Sequence, residues 1–421
     1  MFQGRQRLVI KNLGPIEYCD IFLSKMTVLC GPQAQGKSTI AKAIFFFRNV
    51  KNFLSESLIA PSPAPTFHLQ SQLLLRERFQ QIFGRFEDMS EDMSVSFEYA
   101  SNLHIEISNR YSGKPPVRFS KKIDEWLAKY SFDIPLSSGD LQRIKNESKN
   151  FFEDDHEIIY IPAGRSTLSN LSNALSYIFF RLNDRQKEMI DYCTTSYIEF
   201  ITSIKGIFDP ESRRFSEKLF YNSQQFEQLK IIDERAKHIL KGRYIFSEGN
   251  EYLSFDCKEN EKTIGIRFAS SGQQEVLWIL NSIYYCVSSD KAAFFIIEEP
   301  EAHLYPNTQK EVAEYIVASL TDKNECLITT HSPYILGSLN NILDARRLLD
   351  KGVDVSNIIK NEKIPLLTRQ EDLCAYFVNG GRVYNALDDR IGLIKNELID
   401  DASDDINRVT DKLIEAEQNN E

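Results

Sequence analysis

The sequence predicts an α/β protein, a mixed β-sheet with flanking helices, and three stretches carry that expectation. Thr27-Val28-Leu29-Cys30 is a short apolar strand that ends in Gly31 and leads to Gly36-Lys37-Ser38 and a helical run to about Asn52. Ala293 to Glu299 is an apolar run that ends in two carboxylates. Leu327-Ile328-Thr329-Thr330 is a third such strand and delivers His331. Short, continuously apolar strands are typical of parallel sheets covered on both faces, and the carboxyl ends of such strands are where α/β sheets place chemistry.

In chain order, Leu8-Val9-Ile10 opens a strand, Asn12 to Pro15 turns, Ile16 to Leu23 returns, and Met26 to Cys30 feeds the glycine-containing loop. Prolines at 61, 63 and 65 favour an extended segment. Phe67 to Phe86 has a helical apolar pattern, while Ser94–Tyr99 and Leu103–Ile107 alternate like the strands of a hairpin. Asp124–Tyr130 and Leu136–Phe152 read as helices and Ile158–Ile161 as a buried strand. From Leu168 to about Leu240 the chain reads as two helical arms with a bend at Pro210. Each arm could reach tens of ångströms at about 1.5 Å per residue. Their aromatic residues, Tyr177, Phe179, Tyr197 and Phe200 among them, call for packing against something and not for a bare coiled coil. A hairpin around Gly249-Asn250, a strand at Ile264–Phe268 and a helix at Val276–Cys286 follow. The C-terminal part holds Cys374–Val378, an Asn379-Gly380-Gly381 turn, Val383-Tyr384 and an acidic helix from about Leu398. The expected organisation is an N-terminal lobe at 1–60, an insertion that belongs to the same core at 61–155 and a core strand at 156–170. A helical, coiled-coil-like insertion at 171–243, a C-terminal lobe at 244–340 and a small module at 341–421 complete it.

Composition narrows the function classes. A net charge of −10 over 421 residues repels nucleic acid and acidic membranes on average, so DNA binding would need a local basic patch. Two clusters qualify for consideration: Lys114, Arg118, Lys121 and Lys122, and Arg235, Lys237, Lys241 and Arg243. Charge runs of this kind are more often solvated faces. The seven cysteines are scattered, odd in number and without a Cys-x-x-Cys pair, which argues for a reducing cytoplasm and against a disulfide framework or zinc hook. No stretch approaches the ~20 apolar residues of a membrane helix, so a soluble cytoplasmic protein is expected.

Gly31 to Thr39 has the spacing of a phosphate-binding loop, G-x-x-x-x-G-K-[ST]. A strand stops, the backbone wraps an anion, and a helix starts with its N-terminus aimed at that anion. Gly31, Pro32, Gln33, Ala34, Gln35 and Gly36 form the cradle. Lys37 adds a mobile charge for the outer phosphates, Ser38 suits a Mg²⁺ ligand, and Thr39 begins the helix. Glu298 is assigned to Mg²⁺ and Glu299 to the attacking water, since an acid pair beside a phosphate loop can divide those tasks. His331 could contact the γ-phosphate. Ser271-Gly272 at a helix start could bind an anion, or Ser271 could simply be an N-cap.

Together these stretches resemble the ABC-type ATPase heads of the SMC and recombination-repair class. Ser271, Gly272 and Gln274 match the Leu-Ser-Gly-Gly-Gln signature of that class at their positions. The run Glu298-Glu299-Pro300-Glu301-Ala302-His303-Leu304-Tyr305-Pro306, followed by Thr330-His331-Ser332-Pro333, is similar to the OLD-like branch of AAA ATPases. The resemblance covers roughly residues 7–50, 156–170 and 262–340, and it implies an ABC-type head carrying a helical insertion and a small C-terminal module. It also implies ATP and Mg²⁺ as cofactors and a homodimer or higher oligomer in which Ser271 of one copy closes on nucleotide held by another. A glutamine that senses Mg²⁺ should follow the first helix, with Gln70 and Gln72 as candidates, and Arg165 should lie near the site. Gln33 and Gln35 depart from the commoner Asn and Ser, so hydrolysis is expected to be slow. About 80 residues follow Pro333, where OLD nucleases carry a larger TOPRIM domain, so no nuclease domain is expected there. That makes the chain similar to the stand-alone ATPases of bacterial anti-phage systems, such as PARIS with its TOPRIM effector or Septu with its HNH nuclease. The implied partner is a separate effector, with a phage protein as trigger. A DNA-repair or DNA-end ATPase is the alternative.

Overall fold

The structure, a computed structural model, describes residues 6–57, 66–109, 116–130, 138–169, 181–183, 190–210, 224–256, 261–395 and 408. The expectations for the proline segment, Lys114, much of the two helical arms and the acidic C-terminal helix lie outside these residues.

The strands of the main sheet are β1 (Arg7–Leu13), β2 (Ile16–Phe22), β3 (Met26–Cys30), β4 (Ser94–Ala100), β5 (Leu103–Ser108), β6 (Val117–Phe119) and β7 (Glu157–Ile161). A separate three-stranded meander holds β8 (Arg243–Ser247), β9 (Asn250–Asp256) and β10 (Glu261–Gly265). The main sheet continues with β11 (Ala293–Glu298), β12 (Asn324–Thr330), β13 (Leu373–Asn379) and β14 (Arg382–Asn385). Among the described residues its order is β6-β5-β4-β1-β2-β14-β13-β3-β12-β11-β7. The half from β13 to β7 is parallel, and the β6-to-β2 wing is antiparallel.

The parallel half is apolar throughout because both of its faces are covered. Along β11, Phe294 and Ile296 enter one core while Phe295 and Ile297 enter the other. The same alternation splits β12, where Leu327 faces one side and Cys326 and Ile328 the other. One core is filled by helix α1 (Lys37–Ser57), with Phe45, Phe46, Phe47 and Phe53 fully buried against the antiparallel wing. The opposite core is filled by the helices Ser271–Ser288, Pro306–Ala318 and Pro333–Asp350.

Two expectations change. The helices Tyr192–Ile204 and Gln224–Leu240 do not project as arms: Tyr197, Ile201, Ile232 and Leu240 are buried in the second core. Of the aromatic residues that call for a packing partner, Tyr197 and Phe200 find it in the head itself. The described part of the C-terminal region joins the main sheet, because β13 pairs in parallel with β3 from Leu373↔Met26 to Phe377↔Cys30. A C-terminal hairpin thus lies in the centre of the sheet, beside the strand that feeds the phosphate loop.

The far end of α1 is anchored by a buried ion cluster. Arg48 and Lys51 both pair with Asp154, at 3.0 and 2.9 Å, and Arg48 also reaches Glu325. Burial alone would raise the Asp154 carboxyl, but Arg48, His156 and Lys51 outweigh it and hold it well below the ordinary range. Burial pulls the Lys51 ammonium down to about 8 in spite of Asp154.

Candidate functional site

The register of the parallel strands brings the predicted residues to one edge. Cys30 lies beside Thr330 on one side and Phe377 on the other, and Glu298 lies beside Thr329. The residues that follow β3, β12 and β11, namely Gly31, His331 and Glu299, therefore emerge side by side, with Val378 of β13 next to Gly31.

The loop has the backbone that its glycines permit. Gly31 has φ 137° and Gly36 φ 96°. A Cβ on Gly31 would come within 2.3 Å of the Val378 carbonyl oxygen, so the C-terminal hairpin also requires a glycine there. Pro32, Gln33 and Ala34 are exposed, with Ala34 in the left-handed region at φ 60°. The Gln35 side chain accepts a hydrogen bond from the Gly380 backbone N–H at 2.8 Å. The Lys37 Nζ donates to the Gly31 and Pro32 carbonyls at 2.7 and 2.6 Å, folded back over the cradle. Burial lowers the Lys37 ammonium, while the charges of Glu299 and Glu301 oppose that shift. Ser38 and Thr39 line a cavity of about 430 Å³ together with Asn12, Lys42, Phe83 and Asp88.

The acidic strand end is strained and well supported. Glu299 has φ 44°, and its N–H donates to the Thr329 carbonyl at 2.9 Å. Glu298 is buried, and one of its carboxylate oxygens, Oε1, has no hydrogen-bond partner. An orphaned anionic oxygen at such a position suits a cation, so the residue fits the Mg²⁺ that a nucleotide would bring. His331 lies 3.8 Å from Glu299 and 3.4 Å from Glu301, measured from its Nδ1. Glu301 is buried and accepts from the Thr330 hydroxyl and the His331 N–H, both at 2.8 Å. No role had been given to Glu301 from the sequence. The signal was a third carboxylate two residues beyond the pair, in a strand-exit turn that brings it back to the next strand.

Ser270, not Ser271, caps the helix Ser271–Ser288, in a capping box with Gln273. That leaves the exposed Ser271 hydroxyl outside the capping box. Gly272 packs so closely on the turn after Glu301 that a Cβ would meet the His303 carbonyl at 2.9 Å.

Gln70, Gln72 and Gln274, singled out from the sequence, are turned to backbone carbonyls. Gln274 is buried, and its amide donates to the Ile266 and Ala269 carbonyls, so it holds the approach to the helix. Gln70 donates to the Ser57 carbonyl at the far end of α1 from Ser38, a helix length of roughly 30 Å at 1.5 Å per residue. Gln72 donates to the Val117 carbonyl in the wing. Arg165 is beside the site as expected, but it is wholly buried and bonded to carbonyls.

The AAA ATPase domain family matches residues 6–336, most of the chain. The chain belongs to that family. This ATPase is also similar to two solved SMC head domains. One, from Pyrococcus furiosus with an extended coiled coil bound to the C-terminal domain of ScpA, is 13% identical, with 90% of this chain and 94% of that one covered and a TM-score of 0.40. The other, from Thermotoga maritima, is 9% identical, with 91% and 99% covered and a TM-score of 0.39. No curated protein matches this ATPase. The family match ends before β13, yet the hairpin beyond it touches Gly31 and Gln35 of the phosphate loop. Among the described residues no helix of this ATPase is long and apolar enough to cross a membrane.

Proposed function

We propose that the chain binds ATP with Mg²⁺ and hydrolyses it at sites shared between two copies, and that nucleotide state controls a separate effector protein. The observation that carries this reading is the convergence of Lys37, Glu298, Glu299 and His331 on one edge of the sheet. In this reading Gly31 to Thr39 cradle the phosphates and Lys37 leaves the Gly31 and Pro32 carbonyls for the outer ones. Ser38 and Glu298 hold Mg²⁺, which supplies charge neutralisation at the phosphates. No cluster of three or more His, Cys, Asp or Glu among the described residues could hold a metal alone, so the nucleotide's oxygens would complete the shell. Glu299 orients water and takes its proton, and His331 senses the γ-phosphate. Ser271 and Gly272 of the second copy complete the lid.

The control of a toxic partner, a TOPRIM- or HNH-type nuclease released in response to a phage protein, is the biological setting we favour. It rests on the resemblance of the motif set to the ATPases of two-gene defence systems. The alternative, a DNA-repair or DNA-end ATPase, is weakened at the second basic cluster. Arg235 pairs with Glu314, and both Lys237 and Arg243 pair with Asp233. These charges are largely spent within the fold.

Complementation tests the shared site. Lys37→Ala and Ser271→Arg chains, each inactive alone, should regain ATP hydrolysis when mixed, because one site of the mixed dimer has an intact loop and an intact serine. If mixing restores nothing while both chains associate, the site is not shared. Hydrolysis stimulated by DNA with a steep salt dependence would favour the alternative.

A further inference from the structure

Arg165 is completely buried, and each of its guanidinium nitrogens donates to a backbone carbonyl. Nη1 reaches the Pro162 and Glu298 carbonyls at 2.6 Å each, Nη2 reaches Glu299 at 2.9 Å, and Nε reaches Glu275 at 2.8 Å. The side chain of Glu275, also wholly buried, returns the contact. It accepts from the backbone N–H groups of Arg165 and Ser166 at 3.0 and 2.9 Å and lies 3.3 Å from the guanidinium. The pair therefore ties together the exit of β7, the Ser271–Ser288 helix and the exit of β11.

The location matters more than the strength. The guanidinium grips the carbonyls of two consecutive residues, Glu298 and Glu299, where Glu299 takes a positive φ that a side-chain-bearing residue adopts only when held. Glu275 stands one helical turn after Ser271 on the same helix. A shift of that helix moves Glu275, and a planar, bidentate donor such as Arg165 transmits the shift because its fork cannot pivot as an ammonium can.

We propose that Arg165 and Glu275 are a positioning pair that makes the stance of Glu299 depend on the seat of the Ser271 helix. The proposal rests on the shared-site reading. There, the serine helix of one chain touches the nucleotide of its partner while Glu299 serves the chain's own nucleotide. Closure at one site would then be felt at the other through a path of two side chains. Both side chains are wholly buried, so each acts through the backbone that it holds.

The test compares Arg165→Lys with the double variant Arg165→Met/Glu275→Leu, which removes both buried charges and avoids an unpaired one. Each is read by ATP affinity, kcat and hydrogen exchange with and without ATP. Affinity should stay within about twofold, while kcat should fall by roughly tenfold or more, as expected when only the transition state loses support. In the wild type, ATP should alter exchange at 271–276 and at 298–301 together. In the double variant the first response should persist and the second vanish. An unchanged kcat, or two segments that still respond together in a folded double variant, would overturn the proposal. Failure of the shared site would look different, since the 271–276 response would already be missing in the wild type.

Discussion

Glu301 accepts the backbone N–H of His331 at 2.8 Å and faces that residue's Nδ1 at 3.4 Å. The buried carboxylate thus fixes the backbone of the histidine and lies beside its ring, and its charge also reaches Lys37. Glu301→Ala would leave the His331 N–H and the Thr330 hydroxyl without an acceptor, at a cost of about 1–3 kcal/mol. Glu301→Gln keeps an acceptor and should largely restore stability. If His331 works on the γ-phosphate, Ala should lower ATP turnover with little change in affinity, and Gln should lie between Ala and wild type. Chemical unfolding and steady-state hydrolysis measure the two effects separately. Equal turnover in all three would remove Glu301 from the site.

The core of this arrangement was legible because it is local. A phosphate loop declares itself within nine residues, and an apolar strand with acids at its end needs no distant information. The strands around Val28, Ile296 and Ile328 stand where their patterns placed them. What local pattern could not give was adjacency between remote segments. Gln70 is a plausible sensor by spacing, but on the next helix (Phe67–Phe83) its amide bonds to the Ser57 carbonyl at the end of α1. Gln274 matches a signature position, yet the turn at Ile266–Ala269, between the meander and the helix, supplies two carbonyls that claim its side chain. The hairpin at Asn379–Arg382 looked like an appendage because its pairing partner, β3, lies at the other end of the chain.

Removing Lys37 and removing Glu299 should separate binding from chemistry. Lys37→Ala deletes the cation that the cradle holds ready over its own carbonyls, and titration with ATP should show binding lost. Glu299→Gln is isosteric and preserves the turn, so binding should persist. Turnover should drop by about a hundredfold or more, the usual scale for a lost proton acceptor. The Gln variant should also accumulate as a nucleotide-bound dimer by light scattering. Wild-type turnover in that variant would show that another group handles the water.

Gln35→Ala should loosen the phosphate loop from the C-terminal hairpin. The lost contact is one neutral hydrogen bond to the exposed Gly380 N–H, so global stability should fall by only about 0.5–1.5 kcal/mol. The informative reading is local. Hydrogen exchange at 379–382 should speed up, and in the wild type ATP should slow it. A variant whose 379–382 segment responds to ATP as the wild type does would show that Gln35 is not the link. Gly31, pressed against Val378, would then be the remaining contact.

Asp154→Asn probes the support at the opposite end of α1. Arg48 and Lys51 would be left buried without their shared counter-charge, a loss on the order of 3–5 kcal/mol at neutral pH. The pH dependence has a definite sign. Because folding depresses the Asp154 pKa, its contribution is fully present above the unfolded value near 3.8 and is lost as pH falls toward the lower folded value. The stability gap between wild type and variant should therefore be wide at pH 7 and narrow steadily below about pH 4. Lys51 acts at the other end of the scale. Its folded pKa is lowered from 10.5 to about 8, so the unfolded chain binds more protons between those values and wild-type stability should gain from this group as pH rises through that window. Urea unfolding from pH 3 to pH 10 measures both limbs. A gap that stays constant through the acid range would mean that Asp154 is not held as a charged anchor for the helix that presents Lys37.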